Sequence, residues 1–424
     1  MKKTVSKNLS GLKGSITIPA DKSISHRAVM FASLANGKSV IKNFSKGQDP
    51  HSSLEICQAL GVDAQFLDET TLVVNSDGVL QAPAQPLDCG NSGTTMRLMS
   101  GVLAGQGFSS TLIGDESLSK RPMKRVIEPL TLMGAQIVSV DGHAPLTIAG
   151  QNLSAINYES PLASAQVKSC LLLAGLNADG VTTVTEPYLS RNHTELMLKF
   201  MNADIKIDGC SVSVSRSTLE PREISICGDI SSAAYFIAAG LIVPYSDIIL
   251  RNVGLNPTRT GILDVVKFMG GDVEILDKKN VSGEDVGDLR IRYSDLTGCT
   301  IEDGIIPRLI DELPVIAVLA TQARGTTIVR DAGDLRNKES DRIKAVVTEL
   351  KKIGANIHET SDGFIIDGKS QLTGGAELET YHDHRLAMSW YVAGLVCDNP
   401  LVIDGFEWAG ISFPEFVGLF ESLS

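Results

Sequence analysis

The residues of this sequence that could do chemistry are lysines, arginines and a few carboxylates, grouped in short clusters. Asp311 and Glu339 are the foremost carboxylates, and Glu339 has cations on both sides of it in the sequence. The sequence has no metal-ligand spacing, no P-loop and no Gly-x-Ser-x-Gly turn. Fixed cations beside carboxylates suit cofactor-free proton transfer or group transfer on phosphorylated small molecules. The residues taken alone do not identify the reaction.

Six clusters each precede an apolar segment rich in small residues, which indicates a buried helix. These segments cover residues 28–37, 98–107, 171–180, 234–243, 315–325 and 390–399. Ser, Thr, Asp and Asn are favoured N-caps, so capping accounts for many of the polar residues. It does not account for Lys22, Arg27 and Arg385, because cations are disfavoured at the positive end of a helix dipole. Cations that converge with helix N-termini would bind a multivalent anion.

The same segments define an internal repeat. A short β-branched strand follows each one, and these strands cover 39–43, 111–114, 182–186, 248–252, 326–331 and 401–404. Between them, amphipathic helices are predicted to end at a Gly or Asn, namely Gly61, Gly134, Asn202, Gly270 and Gly354. Copies about 70 residues apart therefore span the chain. We expect two α/β domains of three repeats each, with helices inside and sheets outside, and an incomplete sixth copy.

Composition limits the function classes. The 424 residues carry a formal net charge of −12, 43% apolar residues and seven cysteines. These values exclude a disordered chain, a collagen and a membrane protein, and they argue against a nucleic-acid binder. The scattered cysteines form no CxxC pair, which argues against a zinc site or a disulfide framework. No apolar stretch follows the basic start, so we expect no signal peptide and a reducing, cytoplasmic location.

Ten motifs together resemble those of the 5-enolpyruvylshikimate-3-phosphate (EPSP) synthase family, and the resemblance covers the whole chain. The motifs are DKSISHRA (21–28), GNSGTTMRL (90–98), KRPM (120–123), SAQVKS (164–169), SRNHTE (190–195), GDISSAAYF (228–236), NPTRTG (256–261), IDELP (310–314), KESDR (338–342) and YHDHRLAM (381–388). Three of them, SAQVKS, SRNHTE and NPTRTG, are similar to the branch that includes glyphosate-tolerant members.

The resemblance implies a fold that agrees with the repeat. It implies a two-domain inside-out α/β barrel, in which each domain has three βαβαββ repeats with buried helices and outer sheets. One domain would comprise residues 1–19 and 228–424, and the other residues 20–227. The active site would lie in a cleft between the domains, which would close on the substrates.

The resemblance also implies a reaction. The enolpyruvyl group of phosphoenolpyruvate would pass to the 5-hydroxyl of shikimate 3-phosphate through a tetrahedral intermediate, with release of phosphate. Neither a metal nor another cofactor is implied. The partners would be the two small-molecule substrates, with no nucleic acid and no membrane, and the enzyme would be a monomer. Asp311 matches the acceptor of the 5-hydroxyl proton, Glu339 matches the group that handles the methylene proton, and Lys22 would contact both substrates and help to move protons.

Further positions match those that hold the substrates. The shikimate 3-phosphate positions are Lys22, Ser23, Arg27, Ser164, Ala165, Gln166, Arg191, Asp311 and Lys338. The phosphoenolpyruvate positions are Lys22, Gly93, Arg121, Gln166, Arg342 and Arg385.

The sequence departs from the family pattern at two positions. Ala20 stands where a Gly is usual before the lysine motif, and Ile411 stands where some members carry a lysine. We therefore carry over no role for a C-terminal lysine. Gly93 is retained where some tolerant members have Ala, so glyphosate sensitivity does not follow from the sequence.

Two alternative functions are compatible with parts of this pattern. A related enolpyruvyl transferase acts on UDP-N-acetylglucosamine, but its pattern has Asn at the position of Ser23 and a reactive Cys in the loop that corresponds to residues 108–125, which contains none here. A non-catalytic anion-binding paralogue is the other. The joint presence of Lys22, Asp311 and Glu339 argues against it.

Overall fold

The computed structural model describes residues 1–423, and these divide into two compact units. Unit I comprises Met1–Pro19, Cys227–Lys279 and the chain from Asp285 onward. Unit II comprises Ala20–Ile226 and the short segment Asn280–Glu284.

Six helices form the interior, three in each unit. They are Lys22–Leu34, Gly93–Ala104 and Ala165–Gly175 in unit II, and Ile230–Ile242, Leu313–Thr321 and His384–Gly394 in unit I. The six predicted buried helices are thus confirmed. Each begins earlier than its apolar segment, so the polar clusters supply the N-cap and the first turn as well as the approach to the helix.

Capping explains these early starts. The side chains of Asp21, Ser92, Ser164, Asp229 and Asp383 each accept a backbone N–H of the helix that follows. Helix Leu313–Thr321 follows Glu312, which makes no side-chain cap bond, and begins with Pro at its second position.

A second set of helices joins the strands. The longer ones are Gln48–Ala59, Lys124–Leu132, His193–Phe200, Gly261–Phe268 and Arg342–Lys352, and the short ones are Glu116–Ser119 and Phe416–Glu421. Short 3₁₀ helices cover Asp303–Arg308, Gly333–Asn337 and Phe406–Ile411. All five predicted junction residues adopt the left-handed conformation, with φ between +66° and +96°. The predicted helix ends are therefore confirmed.

The strands form six separate sheets. Those of unit II comprise Asn36–Lys42, Asp63–Phe66, Leu72–Asp77 and Glu223–Ser225; Leu87–Asp88, Ser109–Ile113, Gln136–Val140 and His143–Ala149; and Asn157–Glu159, Val181–Thr185, Ile205–Asp208 and Ser211–Ser215. The first sheet of unit I comprises Lys13–Thr17, Asp247–Gly254, Asp272–Val281 and Glu284–Arg292, of which residues 280, 281 and 284 belong to unit II. The second comprises Thr300–Ile301, Gly325–Val329, Ile357–Glu359 and Phe364–Gly368. The third comprises Lys2–Val5, Glu377–Glu379 and Leu401–Asp404.

One pairing pattern recurs in all six sheets. The strand after each buried helix lies inside its sheet, between a parallel neighbour and an antiparallel one. In the last sheet Lys2–Val5 takes the antiparallel position beside Leu401–Asp404. Within residues 1–423 this sheet has three strands where the other five have four, so the sixth copy is incomplete, as predicted. Every sheet has two edge strands, so residues 1–423 contain no closed barrel. The architecture that the sequence analysis describes as an inside-out α/β barrel consists of separate open sheets.

Close packing joins the buried helices. A Cβ at Gly101 would lie 2.1 Å from the carbonyl oxygen of Cys170, so a glycine is required where helices Gly93–Ala104 and Ala165–Gly175 meet. In unit I, Phe236 stacks on Phe420 with ring centroids 4.2 Å apart. Trp390 is fully buried in the same unit, where its indole N–H donates to the carbonyl of Glu379.

Candidate active site

The first helix of unit II presents Lys22 and Arg27. Lys22 is its first residue, and its Nζ lies 2.9 Å from a carboxylate oxygen of Asp49. Arg27 is buried, and its guanidinium donates to the Thr194 hydroxyl at 2.7 Å and to the Ser169 hydroxyl at 2.9 Å. It also donates to the carbonyl of Ser23 at 3.0 Å. Neighbouring side chains therefore fix both cations.

Burial has an electrostatic effect on Arg27. Desolvation lowers its pKa to about 10, although the nearby charge of Glu195 opposes this shift. Arg191 is half-buried, and its positive charge is one of those that lower the pKa of Arg27. Even at a pKa of about 10 the guanidinium is charged at neutral pH. Unit II thus holds two interacting cations, Arg27 and Arg191.

The buried helices Gly93–Ala104 and Ala165–Gly175 of unit II meet at Gln166. Its amide oxygen accepts a hydrogen bond from Arg97 at 2.7 Å, and its amide nitrogen donates to Thr94 at 3.0 Å. A Cβ at Gly93 would lie 2.8 Å from Arg97 Nη1 and 3.5 Å from Arg121 Nη1. The structure therefore brings Gly93, Arg121 and Gln166 together around Arg97, which sequence reasoning did not single out.

Ser164 caps the buried helix Ala165–Gly175. The backbone N–H of Ser164 donates to Glu186 at 2.8 Å, and the same carboxylate accepts the Ser190 hydroxyl at 2.7 Å. Glu186 therefore bridges the turn that carries Ser164 and the loop that carries Arg191.

In unit I, Asp311 lies among three of the predicted cations. One oxygen, Oδ1, is 3.3 Å from Arg342 Nη1 and 3.6 Å from Lys338 Nζ, and the other, Oδ2, is 3.9 Å from Arg385 Nη2. Arg385 also donates to the backbone carbonyl of Asp311 at 3.2 Å. The structure thus assembles four residues from three separate parts of the sequence.

Glu339 joins this group through Arg342. Arg342 Nη2 donates to Glu339 at 2.5 Å, while its Nε donates to Asp383 at 2.7 Å. Arg342 is 1% exposed. Burial disfavours its charged form, but Asp383, Glu339 and Asp311 outweigh that effect and raise its pKa above the ordinary value. Asp383 also caps the helix that carries Arg385, so one carboxylate positions both arginines.

A further buried network supports Arg385. Its Nη1 lies 3.7 Å from Glu312, whose carboxylate also accepts the Ser231 hydroxyl. Arg259 donates to Ser231 at 2.5 Å and lies 3.4 Å from Asp229. Burial opposes the charge of Arg385, but Asp311 and Glu312 help to raise its pKa above the ordinary value.

Sequence reasoning missed these supporting residues because short spacing does not reveal them. Asp49, Arg97, Arg259, Glu312 and Asp383 contact predicted site residues or their supports, although most are distant in sequence. One signal could have found them. A cation predicted at a buried helix N-terminus needs an acidic or hydroxyl partner, so such partners could have been sought among the remaining polar residues.

The two positions that depart from the family pattern lie at the edges of elements. Ala20 is buried directly before the cap of the first helix. Ile411 ends the 3₁₀ helix Phe406–Ile411, whose Trp408 stacks on His382 with ring centroids 4.7 Å apart. His382 has a left-handed backbone and immediately precedes Asp383.

The arrangement suits anionic substrates and proton transfer. Each unit offers helix N-termini and fixed cations, and unit I adds the two carboxylates Asp311 and Glu339. Residues 1–423 contain no group of three or more His, Cys, Asp and Glu side chains that could hold a metal ion. Over the same residues, no helix combines the length and apolar character needed to cross a bilayer.

Comparison with known proteins identifies the reaction. Residues 7–420 match the family described as EPSP synthase (3-phosphoshikimate 1-carboxyvinyltransferase). The chain is 51% identical over 421 residues to the 3-phosphoshikimate 1-carboxyvinyltransferase of Bacillus licheniformis, covering 98% of each protein. It is 50% identical over 422 residues to that of Geobacillus kaustophilus, covering 98% of this chain and 99% of the relative.

Solved structures agree. The EPSP synthase of Acinetobacter baumannii superposes with a TM-score of 0.90 at 41% identity, over 100% of this chain and 98% of that one. The enolpyruvyl transferase NikO of Streptomyces tendae, at 17% identity, shares the fold with a TM-score of 0.80 over 99% of this chain and 96% of its own. The chain therefore belongs to the EPSP synthase family and is a transferase that moves the carboxyvinyl group of phosphoenolpyruvate to shikimate 3-phosphate, a step of the shikimate pathway.

Proposed function

We propose that Asp311 is the general base of this reaction and that Glu339 handles the methylene proton of phosphoenolpyruvate. The observation that supports this proposal is the group around Asp311, where Lys338, Arg342 and Arg385 all lie within 3.9 Å of one carboxylate. Such a carboxylate can take a proton while the cations hold the phosphate and carboxylate groups of the substrates in register.

The addition step then has a balanced course. Asp311 takes the proton of the 5-hydroxyl as its oxygen attacks the central carbon of phosphoenolpyruvate, and Glu339 delivers a proton to the methylene carbon. In the elimination step the methyl group of the tetrahedral intermediate returns a proton to Glu339. The C–O bond to phosphate breaks, and the leaving phosphate takes the proton held by Asp311, which restores both carboxyl groups. Lys22 contacts both substrates in this scheme and helps to move protons.

The remaining predicted residues bind the substrates. In the proposal, Ser23, Arg27, Ser164, Ala165, Gln166, Arg191 and Lys338 hold shikimate 3-phosphate, together with Lys22 and Asp311. Gly93, Arg121, Arg342 and Arg385 hold phosphoenolpyruvate, together with Lys22 and Gln166. In this proposal each unit supplies part of the set of groups that binds the two substrates.

The setting of the enzyme is part of the proposal. Within residues 1–423 none of the cysteines forms a disulfide, which is typical of a reducing compartment and supports a cytoplasmic location. We also propose a monomer that acts on small molecules alone. The forms SAQVKS, SRNHTE and NPTRTG support a place in the branch that includes glyphosate-tolerant members.

Replacing Asp311 tests the proposed base. We expect Asp311→Asn to lower kcat by about 10²-fold or more, because the amide cannot take the hydroxyl proton. Phosphate release from phosphoenolpyruvate measures turnover, with UDP-N-acetylglucosamine as a rival acceptor. Calorimetry should show that the affinity for shikimate 3-phosphate stays within about threefold, since the neighbouring cations remain.

Asp334→Asn is the matched control. Asp334 also pairs with Lys338, at 3.5 Å, but its side chain is 47% exposed, so its loss should leave turnover almost unchanged. Near-normal turnover of Asp311→Asn would remove Asp311 from the proposed role.

A further inference from the structure

A buried ion cluster in unit II has no part in the proposed chemistry. Lys168 Nζ lies 2.7 Å from Glu186 and 2.8 Å from Glu195, and all three side chains are 1% exposed. We call these three residues the Lys168 cluster. Buried charges are costly to hold unless they are paired, so the cluster needs an explanation.

The charges of the cluster balance only when Arg27 is included. Two glutamates face one lysine, which leaves one excess negative charge. Thr194 and Ser169 share a hydrogen bond of 2.7 Å, and both accept from Arg27. Glu195 follows Thr194 in sequence, and its charge favours the charged form of Arg27. Arg27 therefore offsets the excess negative charge of the Lys168 cluster.

Glu186 differs from Glu195 in what else it holds. One of its oxygens accepts the backbone N–H of Ser164, and the other accepts the hydroxyl of Ser190 at 2.7 Å and its backbone N–H at 3.3 Å. Ser164 caps the helix that carries Gln166, and Ser190 precedes Arg191. One carboxylate therefore joins two segments that both carry predicted substrate-binding residues.

We propose that Glu186, held in place by Lys168, is a positioning residue that sets the Ser164 turn and the Arg191 loop at the spacing that shikimate 3-phosphate requires. The inference rests on the proposed placement of that substrate. A carboxylate has two oxygens, so it can accept from both segments and pair with Lys168. A glutamine at this position presents one oxygen, and its amide N–H₂ would face another donor.

The test compares two matched variants, Glu186→Gln and Glu195→Gln. Each removes one negative charge from the same buried cluster and keeps Lys168. Only Glu195→Gln also removes a charge that favours the charged form of Arg27, so the comparison is weighted against the proposal. We expect Glu186→Gln to raise the Kd of shikimate 3-phosphate, measured by calorimetry, about tenfold above that of Glu195→Gln. The KM of phosphoenolpyruvate at saturating shikimate 3-phosphate should differ between them by less than about threefold. Equal Kd values would overturn the proposal.

A second pair keeps the test decisive if a single variant folds poorly. Lys168→Met combined with Glu195→Gln, and Lys168→Met combined with Glu186→Gln, both leave one buried carboxylate to balance Arg27. The double variant with Glu195→Gln retains the link through Glu186, whereas the double variant with Glu186→Gln loses it. We expect the first to bind shikimate 3-phosphate about tenfold more tightly than the second, and equal binding would overturn the proposal.

Two further variants separate this inference from the proposed site. Ser164→Ala and Arg191→Ala should each weaken shikimate 3-phosphate binding, because both side chains are assigned to that substrate. If neither does, the substrate assignment fails and this inference fails with it. If both do while the glutamine variants bind alike, only the positioning role of Glu186 is lost.

Discussion

At the scale of single residues, some predicted cations are held by carboxylates that the prediction did not include. Lys22 pairs with Asp49, and Arg342 pairs with Asp383. Held cations lose little freedom when an anionic substrate arrives, which favours binding in a fixed orientation. The catalytic assignment therefore depends on these partners as much as on the cations.

Gly93 shows how narrow the tolerance is at this scale. An added Cβ would approach Arg97 Nη1 to 2.8 Å, so Gly93→Ala must shift the guanidinium that donates to Gln166. We expect the KM for phosphoenolpyruvate to rise about tenfold, while the Kd of shikimate 3-phosphate changes less than about threefold. Steady-state kinetics and calorimetry measure the two effects. An unchanged KM would show that the shift of Arg97 does not affect phosphoenolpyruvate binding, which would contradict this prediction.

At the scale of elements, the sequence predicted the repeat well. The buried helices, the strands after them and all five left-handed helix ends were found where local patterns placed them. The helix starts were placed too late, because apolar content marks the middle of a buried helix and not its capped first turn. The pairing of Asp311 with Arg342, by contrast, depends on how two helices pack, and no local pattern records that.

Gly101 tests the packing of these elements. A Cβ there would lie 2.1 Å from the Cys170 carbonyl oxygen, so Gly101→Ala must push two buried helices apart. We expect the free energy of unfolding to fall by about 1–3 kcal/mol or more, as measured by urea denaturation. The control is Gly107→Ala, where no atom lies within 4 Å of the added Cβ. Similar losses in both variants would contradict this account.

At the scale of the whole molecule, the net charge of −12 does not describe the predicted binding residues, which include several cations in each unit. The predicted site takes Lys22, Arg27, Arg121 and Arg191 from unit II, and Lys338, Arg342 and Arg385 from unit I. An acidic protein can therefore attract two anionic substrates, because a local field guides small ligands more than the average charge does.

Acid stability is also a property of the whole molecule. His26 is fully buried, with Nδ1 2.7 Å from the Ser53 hydroxyl, and burial lowers its pKa to about 3. The unfolded chain binds a proton there below pH about 6.5, whereas the folded chain does not until pH about 3. Stability from this residue is therefore present above pH about 6.5 and is lost as the pH falls towards 3.

The His26→Gln variant isolates that contribution. Between pH 7 and pH 5 the wild-type chain should lose about 2 kcal/mol more stability than the variant, since glutamine does not titrate. Urea denaturation followed by far-ultraviolet circular dichroism at the two pH values measures the difference. Equal losses would show that His26 is protonated in the folded state.

The positions of the two tryptophans give the molecule a built-in optical reporter. Trp390 and Trp408 are the only tryptophans in the sequence, and both belong to unit I. Trp408 stacks on His382, beside the carboxylate that holds Arg342. Indole emission therefore records unfolding or ligand arrival in the half that carries Asp311, with no background from the half that carries Lys22, and no dye has to be attached.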